Sequence, residues 1–175
     1  MRSAFWAALV VMFAGAAQAR PLEVARQLPN AAQVGGARYN VLGISVFDAA
    51  LWAEGGVFSW DAPFAVEINY LRGFSAQSLA DRAIAEMAQR SGRARSAFEP
   101  IRSELTACFA DVARGDRITG VSTSHDHAQF YFNGTQRCAI EWPGMRRQFF
   151  SIWLDRRGGE RVFSRQLLGA AHAAP

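Results

Sequence analysis

The sequence contains no lysine, because all 19 of its basic residues are arginine. This absence excludes mechanisms that need an amine side chain, such as Schiff-base chemistry, the P-loop lysine and a serine–lysine dyad. Only two cysteines occur, Cys108 and Cys138, too few for a disulfide-rich scaffold or a four-thiolate metal site. The chain also lacks a G-x-S-x-G motif, a glycine-rich phosphate loop and an H-E-x-x-H motif, which are signatures of hydrolases, nucleotide-binding proteins and metalloproteases.

The composition is that of one folded domain. The chain has 175 residues, of which 50% are hydrophobic and 19% are charged. The formal net charge is +4, but the arginines are scattered along the chain and form no basic stripe. A nucleic-acid partner is therefore not expected. No cofactor is indicated by any motif.

The N-terminal residues have the three parts of a secretory signal peptide. Arg2 gives a positive start, residues 4–17 are apolar, and Ala17-Gln18-Ala19 is a small-x-small cleavage site. The apolar stretch is shorter than the roughly 20 residues of a membrane span, although a short membrane anchor is the alternative. We expect residues 1–19 to be a signal peptide and residues 20–175 to be one exported, periplasmic domain without a membrane span.

The first half of the chain begins with strand patterns. Residues 30–54 are rich in β-branched and aromatic side chains, and they predict strands with a hairpin turn at Gly35-Gly36 and a bulge at Gly43. Residues 64–71 alternate between apolar and polar side chains, a pattern that predicts a half-buried strand.

Two helices are predicted next. The first covers 76–90, with Ser75 as its N-cap. The second carries apolar residues at three- and four-residue steps from Phe98 to Val112, and Gly115 is its predicted end.

The second half repeats the order of strands before helices. A short strand at 117–122 is followed by a hairpin of 128–133 and 135–142 around Asn133-Gly134, a strong turn signal. Two short helices with apolar stripes complete the chain. Grouped strands and paired helices predict an α+β fold, in which helices cover one face of an antiparallel sheet.

Three local patterns each have two interpretations. His125-Asp126-His127 could hold a metal on a strand, but no third ligand is evident and a solvated loop explains it better, so no metal is expected. Cys108 and Cys138 could form a disulfide in an exported protein, or could be two small buried residues. Asn133-Gly134-Thr135 matches a glycosylation acceptor, but the turn explains the asparagine better.

Six short segments, spread over nearly the whole predicted mature chain, form a series. They are residues 46–52 (VFDAALW), 68–72 (INYLR), 115–118 (GDRI), 132–134 (FNG), 150–154 (FSIWL) and 167–169 (LLG). In this order they resemble the exported bacterial chalcone isomerase-like family, within the chalcone isomerase superfamily. The resemblance implies an open-faced sandwich, a large antiparallel sheet under a layer of helices.

The same resemblance implies where a ligand would bind. Superfamily members either close a chalcone to a flavanone or bind fatty acids without chemistry, and an arginine on an early strand handles the anionic oxygen. Arg38 matches that arginine, while Phe47 falls where the family places a hydroxyl, and a phenyl ring cannot donate a hydrogen bond. With Tyr70, these are the candidate ligand-binding residues, and no catalytic residue is assigned. Asp48 and Arg72, in the same segments, could form a structural ion pair.

Three functions follow from these observations. The first is a non-catalytic protein that binds a small apolar or carboxylated, fatty-acid-like molecule between the sheet and the helices. The second is an isomerase or intramolecular lyase that acts on an enone, which needs a donor at Phe47 that the sequence does not supply. The third is a structural or partner-binding module of the cell envelope, whose cleft is closed by its own aromatic side chains.

Overall fold

A computed structural model of the chain describes residues 19–156 and 161–169. Nearly all of the predicted signal peptide lies outside these described residues. The described part contains one six-stranded sheet in which each strand pairs antiparallel with the next along the chain. Its strands are β1 (Ala31–Val41), β2 (Ile44–Glu54), β3 (Phe64–Tyr70), β4 (Arg117–Ser122), β5 (His127–Phe132) and β6 (Thr135–Glu141).

In the described residues, five helices accompany the sheet, and all but the first cover one face of it. They are α1 (Leu22–Gln27), α2 (Ala76–Ser91), α3 (Glu99–Cys108), α4 (Met145–Leu154) and α5 (Arg161–Leu167), with a 3-10 turn at Arg95–Phe98. Helices α2 and α3 connect β3 to β4, and α4 and α5 follow β6. The α+β class and the helix-covered antiparallel sheet predicted from the sequence are therefore confirmed.

The alternation of side chains along the strands divides the interior into two clusters. On β3, Phe64, Val66 and Ile68 join the large cluster under α2 to α5. On the opposite face, Trp52 and its neighbours form a smaller cluster with Val24 of α1. The short helix α1 therefore packs on the face that the other helices leave open.

The predicted hairpin turn at Gly35-Gly36 is wrong. Both glycines lie within β1, and the turn is at Leu42-Gly43, where both residues have positive φ. A Cβ at Gly35 would lie 2.3 Å from the carbonyl oxygen of Gln166, so glycine allows the end of α5 to approach the strand. The glycine pair marks a close backbone contact and a register shift, not a turn.

The second predicted helix ends earlier than its apolar pattern. Helix α3 stops at Cys108, and Phe109 has extended backbone. Val112 instead exchanges backbone hydrogen bonds with Phe74, which forms an isolated bridge. Phe109 and Val112 are nevertheless buried in the large cluster. Their spacing fitted a helix because both side chains face the core, although neither residue is helical.

The boundaries of α2 and the last hairpin agree with the sequence. Ser75 caps α2 by accepting a hydrogen bond from the Ser78 backbone N–H, and Gly92 ends it with φ 70°. Asn133 and Gly134 form the β5–β6 turn, with φ of 48° and 85°. The Asn133 side chain also donates to Asp116, and its hydrogen bond lowers the pKa of that carboxyl. In the described residues, no helix has both the length and the apolar character that crossing a bilayer requires.

Candidate ligand-binding cleft

Phe47 and Tyr70 lie next to each other on the helix-covered face of the sheet. Phe47 stacks on Tyr39 with ring centroids 5.0 Å apart, and Phe163 of α5 meets both rings edge-on. Tyr70 contacts Phe47 and Phe74 at 6.3 and 6.0 Å. Burial raises the pKa of the Tyr70 phenol well above its ordinary value, so this hydroxyl remains protonated. Aromatic side chains of the protein therefore pack against both predicted residues on this face.

The structure does not bring Arg38 to these two residues. Arg38 points to the opposite face of the sheet, where its Nε and Nη2 donate to the two carboxylate oxygens of Asp48 at 2.6 and 2.8 Å. The Arg38 side chain is 57% exposed, and its hydrogen bond to Asp48 raises its pKa. The ion pair predicted between Asp48 and Arg72 is wrong, since Arg72 donates to the Ser45 carbonyl oxygen instead.

The two cysteines and the His125-Asp126-His127 segment have structural roles. Cys108 at the end of α3 and Cys138 on β6 form a disulfide, with Cα atoms 5.3 Å apart. In the predicted loop, the Asp126 carboxylate accepts from the Gly144 N–H, and this bond holds the start of α4. His127 contacts the Thr123 hydroxyl at 2.6 Å. Among the described residues, no three potential ligands cluster as a metal site.

A cleft opens at the other end of the helical layer. It lies between the C-terminal part of α2, helix α4 and the loop that joins β2 to β3, and its volume is about 670 Å³. We call it the Trp60 cleft. Its apolar wall is formed by Phe58, Trp60, Met87, Leu154 and Leu168. Its size is within the ordinary range for small-molecule sites.

The Trp60 cleft is far from Phe47 and Tyr70. Phe58 and Trp60 pack on Phe64, at ring-centroid distances of 5.1 and 5.9 Å. Phe64 is the first residue of β3 and Tyr70 is the last. At about 3.4 Å per residue, these two ends of the sheet are separated by roughly 20 Å.

Two consecutive arginines of α4 hold Trp60 in place. The buried Arg146 donates from Nη1 to the Trp60 carbonyl oxygen at 3.0 Å and from Nε to the Ser122 hydroxyl at 2.7 Å. The exposed Arg147 lies over the Trp60 indole, 4.3 Å from the ring centroid. Burial lowers the pKa of Arg146. Arg146 therefore holds the backbone of Trp60 and Arg147 covers one face of the indole, which pre-forms this wall of the cleft.

The charged groups of the cleft are unequally buried. Arg147 and Arg156 are exposed at its rim, whereas the Arg90 side chain is only 9% exposed. Arg90 Nε is 3.3 Å from a Glu86 carboxylate oxygen, but neither Nε nor Nη1 makes a hydrogen bond among the described residues. The same Glu86 also pairs with the exposed Arg82 at 2.6 Å. A buried cation with incomplete pairing thus forms part of the cleft wall.

The hydroxyl groups of the cleft are already engaged. Ser91 donates to the Met87 carbonyl oxygen at 2.7 Å, and Ser151 donates to the Gln148 carbonyl oxygen at 3.1 Å. The described lining contains no histidine that could act as a base for either hydroxyl. The arrangement is suited to binding an amphiphilic molecule and offers no activated nucleophile.

Arg90 is not among the site residues predicted from the sequence, since an arginine in the last turn of a helix is ordinarily a favourable surface charge. A signal was nevertheless present in the spacing. Ala80, Ala83 and Met87 are buried on one face of α2, and Arg90 is the next position of that stripe. A charged side chain at a core position of an amphipathic helix indicates either an ion pair or a site.

Comparisons with known proteins support the fold. No family model matches the sequence. No curated protein matches it either. A crystal structure of a fatty-acid binding protein from Arabidopsis thaliana superposes with a TM-score of 0.63 at 10% sequence identity, over 81% of this chain and 88% of that one. The chain therefore has the chalcone isomerase-like open-faced sandwich fold that the sequence segments imply.

Proposed function

We propose that the chain is an exported, non-catalytic binding protein that holds a small apolar or carboxylated molecule in the Trp60 cleft. One observation carries the proposal: a cleft of about 670 Å³ with an apolar wall in which Trp60 is held at its backbone by Arg146 and covered by Arg147. A pre-formed wall lowers the entropic cost of binding. The fold shared with a fatty-acid binding protein favours an acyl-chain ligand.

The cleft chemistry supports binding without reaction. The two serine hydroxyls of the cleft donate to helix carbonyl groups, and Phe47 lacks the donor that polarising an enone needs. The site also differs from the one implied by the sequence resemblance, because Arg38 is paired with Asp48 on the other face of the sheet.

Export is supported by the signal-peptide pattern and by the disulfide, which is typical of oxidising compartments. Arg20 would be the first residue after cleavage. Its Nη1 donates to the carbonyl oxygens of Pro29 and Ala31 at 2.7 and 2.9 Å. The proposed mature N-terminus is thus anchored next to β1.

Mass spectrometry of protein recovered from a periplasmic extract tests both parts of the proposal. Under denaturing conditions, the mass should correspond to a chain that starts at Arg20 and contains one disulfide. Under native conditions, delipidated protein should bind straight-chain fatty acids with one-to-one stoichiometry. Replacing Trp60 with leucine should weaken this binding about tenfold or more, because a buried aromatic anchor contributes roughly 2 kcal/mol.

Phe47→Leu is the matched control, since it trims an aromatic ring on the same face at the distant end of the sheet. Binding to this variant should change less than about twofold, which corresponds to roughly 0.4 kcal/mol. Binding that is lost in Phe47→Leu but retained in Trp60→Leu would contradict the assignment and place the ligand beside Tyr70. A mass that includes residues 1–19 would contradict cleavage.

A further inference from the structure

Arg90 is a cation on the face of α2 whose other residues are buried and apolar. Its side chain is 9% exposed, and it follows Met87 on the buried face of α2. Removing a guanidinium from water is unfavourable unless hydrogen bonds and an opposite charge replace the lost hydration. Packing alone therefore does not explain an arginine at position 90.

The pairing of Arg90 within the protein is incomplete. Glu86 is its one carboxylate neighbour among the described residues, and Glu86 also pairs with Arg82 on the solvent side. Nε of Arg90 approaches Glu86 at 3.3 Å without hydrogen-bond geometry, and Nη1 has no acceptor among the described residues. Two arginines thus share one carboxylate, and the buried arginine has the weaker contact.

The surroundings of Arg90 add to the positive potential. Arg147 and Arg156 lie exposed at the rim, so three arginines line the cleft, against Asp155 in the lining and Glu86 beside it. The apolar wall lowers the local dielectric, which strengthens attraction between Arg90 and an anion that enters. The same wall offers a surface for an acyl chain.

We propose that Arg90 receives the carboxylate of an acyl-chain ligand, whose hydrocarbon part lies against Phe58 and Met87. This assignment rests on the proposed function, because it names the ligand class of the same cleft. A carboxylate supplies the acceptors and the charge that Arg90 lacks, in a charge-assisted hydrogen bond. The rim arginines attract the anion toward the cleft, and Arg90 binds it.

Isothermal titration with two probes of equal chain length, decanoate and decan-1-ol, tests the assignment. Both bind in the cleft if the proposed function is correct, but only decanoate adds a negative charge to the hydrogen bond that it accepts from Arg90. Wild-type protein should prefer decanoate by about tenfold or more, the effect of a charged hydrogen bond. Arg90→Met should reduce this preference to about threefold or less and leave the decan-1-ol affinity nearly unchanged.

Arg114→Met is the matched control, because it removes an exposed arginine that does not line the cleft. Its preference for decanoate should equal that of the wild type. A cooperative thermal unfolding transition establishes that each variant is folded. Arg90→Lys is a second test variant, which keeps the positive charge without the planar guanidinium. Arg90→Lys should retain part of the preference.

Three results would overturn the inference, and the last of them also rejects the proposed function. If both probes bind the wild type equally, or if the preference persists in folded Arg90→Met, the cleft binds acyl chains but Arg90 does not select the headgroup. If neither probe binds the wild type, the cleft is not a site for acyl chains.

Discussion

Reducing the Cys108–Cys138 disulfide is expected to lower the free energy of unfolding by about 3–4 kcal/mol. The two cysteines are 30 residues apart in sequence, and the bond joins the end of α3 to β6 across the connection that contains β4 and β5. Closing a loop of this length restricts the unfolded chain much more than the folded one. Urea unfolding of oxidised and reduced protein, followed by circular dichroism, measures the difference.

Reduced wild-type protein is a better reference for the oxidised form than a cysteine variant, because it keeps every heavy atom of both side chains. The double variant Cys108→Ala/Cys138→Ala also removes sulfur atoms from a largely buried site, since Cys108 is 4% exposed, and it should therefore lose somewhat more stability. A reduced protein that unfolds within about 1 kcal/mol of the oxidised form would show that the bond contributes little to the fold.

Replacing Gly35 with alanine is expected to destabilise the protein by about 2–3 kcal/mol, the usual cost of overpacking against atoms that cannot move freely. The new Cβ would lie 2.3 Å from the Gln166 carbonyl oxygen, 2.7 Å from that of Leu167 and 2.8 Å from the Gly169 N–H nitrogen. All three are backbone atoms, so α5 would have to move away from β1. Chemical denaturation measures the loss.

Gly36→Ala tests whether the effect belongs to the contact with α5 or to the loss of a glycine in β1. Its Cβ would meet Nε2 of the long Gln33 side chain at 3.1 Å and the Ala49 carbonyl oxygen at 3.4 Å. Stability should change by less than about 1 kcal/mol, because the glutamine can move and the unfolded chain loses entropy. Equal losses in the two variants would contradict the proposed close approach of α5.

The sequence predicted the fold well because the signals for its main elements are local. The apolar pattern of β3, the Ser75 cap, and the Asn133-Gly134 turn each depend on a few neighbouring residues. The half-buried character predicted for β3 is wrong, because Ala65 and Glu67 are buried as well and both faces of the strand are covered. Gly35 is different, because its role depends on the end of α5, more than 130 positions away in the chain. A glycine pair that signals a turn locally can also mark a close contact that no short pattern records.

The candidate site was harder to predict for the same reason. The resemblance placed Arg38 with Phe47 and Tyr70, but side chains of neighbouring strand positions point to opposite faces, and Arg38 pairs with Asp48. The Trp60 cleft combines a loop with the ends of two helices that meet only in the folded protein. The spacing of the buried residues on α2 could have indicated Arg90. The lack of hydrogen-bond partners for its Nε and Nη1 is visible only in the folded protein.

A crystal structure of the protein with bound decanoate would show whether the ligand lies in the Trp60 cleft, because it locates the acyl chain in space. We expect electron density for the acyl chain in the Trp60 cleft, against Phe58 and Met87, with little movement of the Trp60 ring. A ligand between the sheet and α5 beside Phe47 and Tyr70, or against Arg38 on the opposite face, would contradict this expectation.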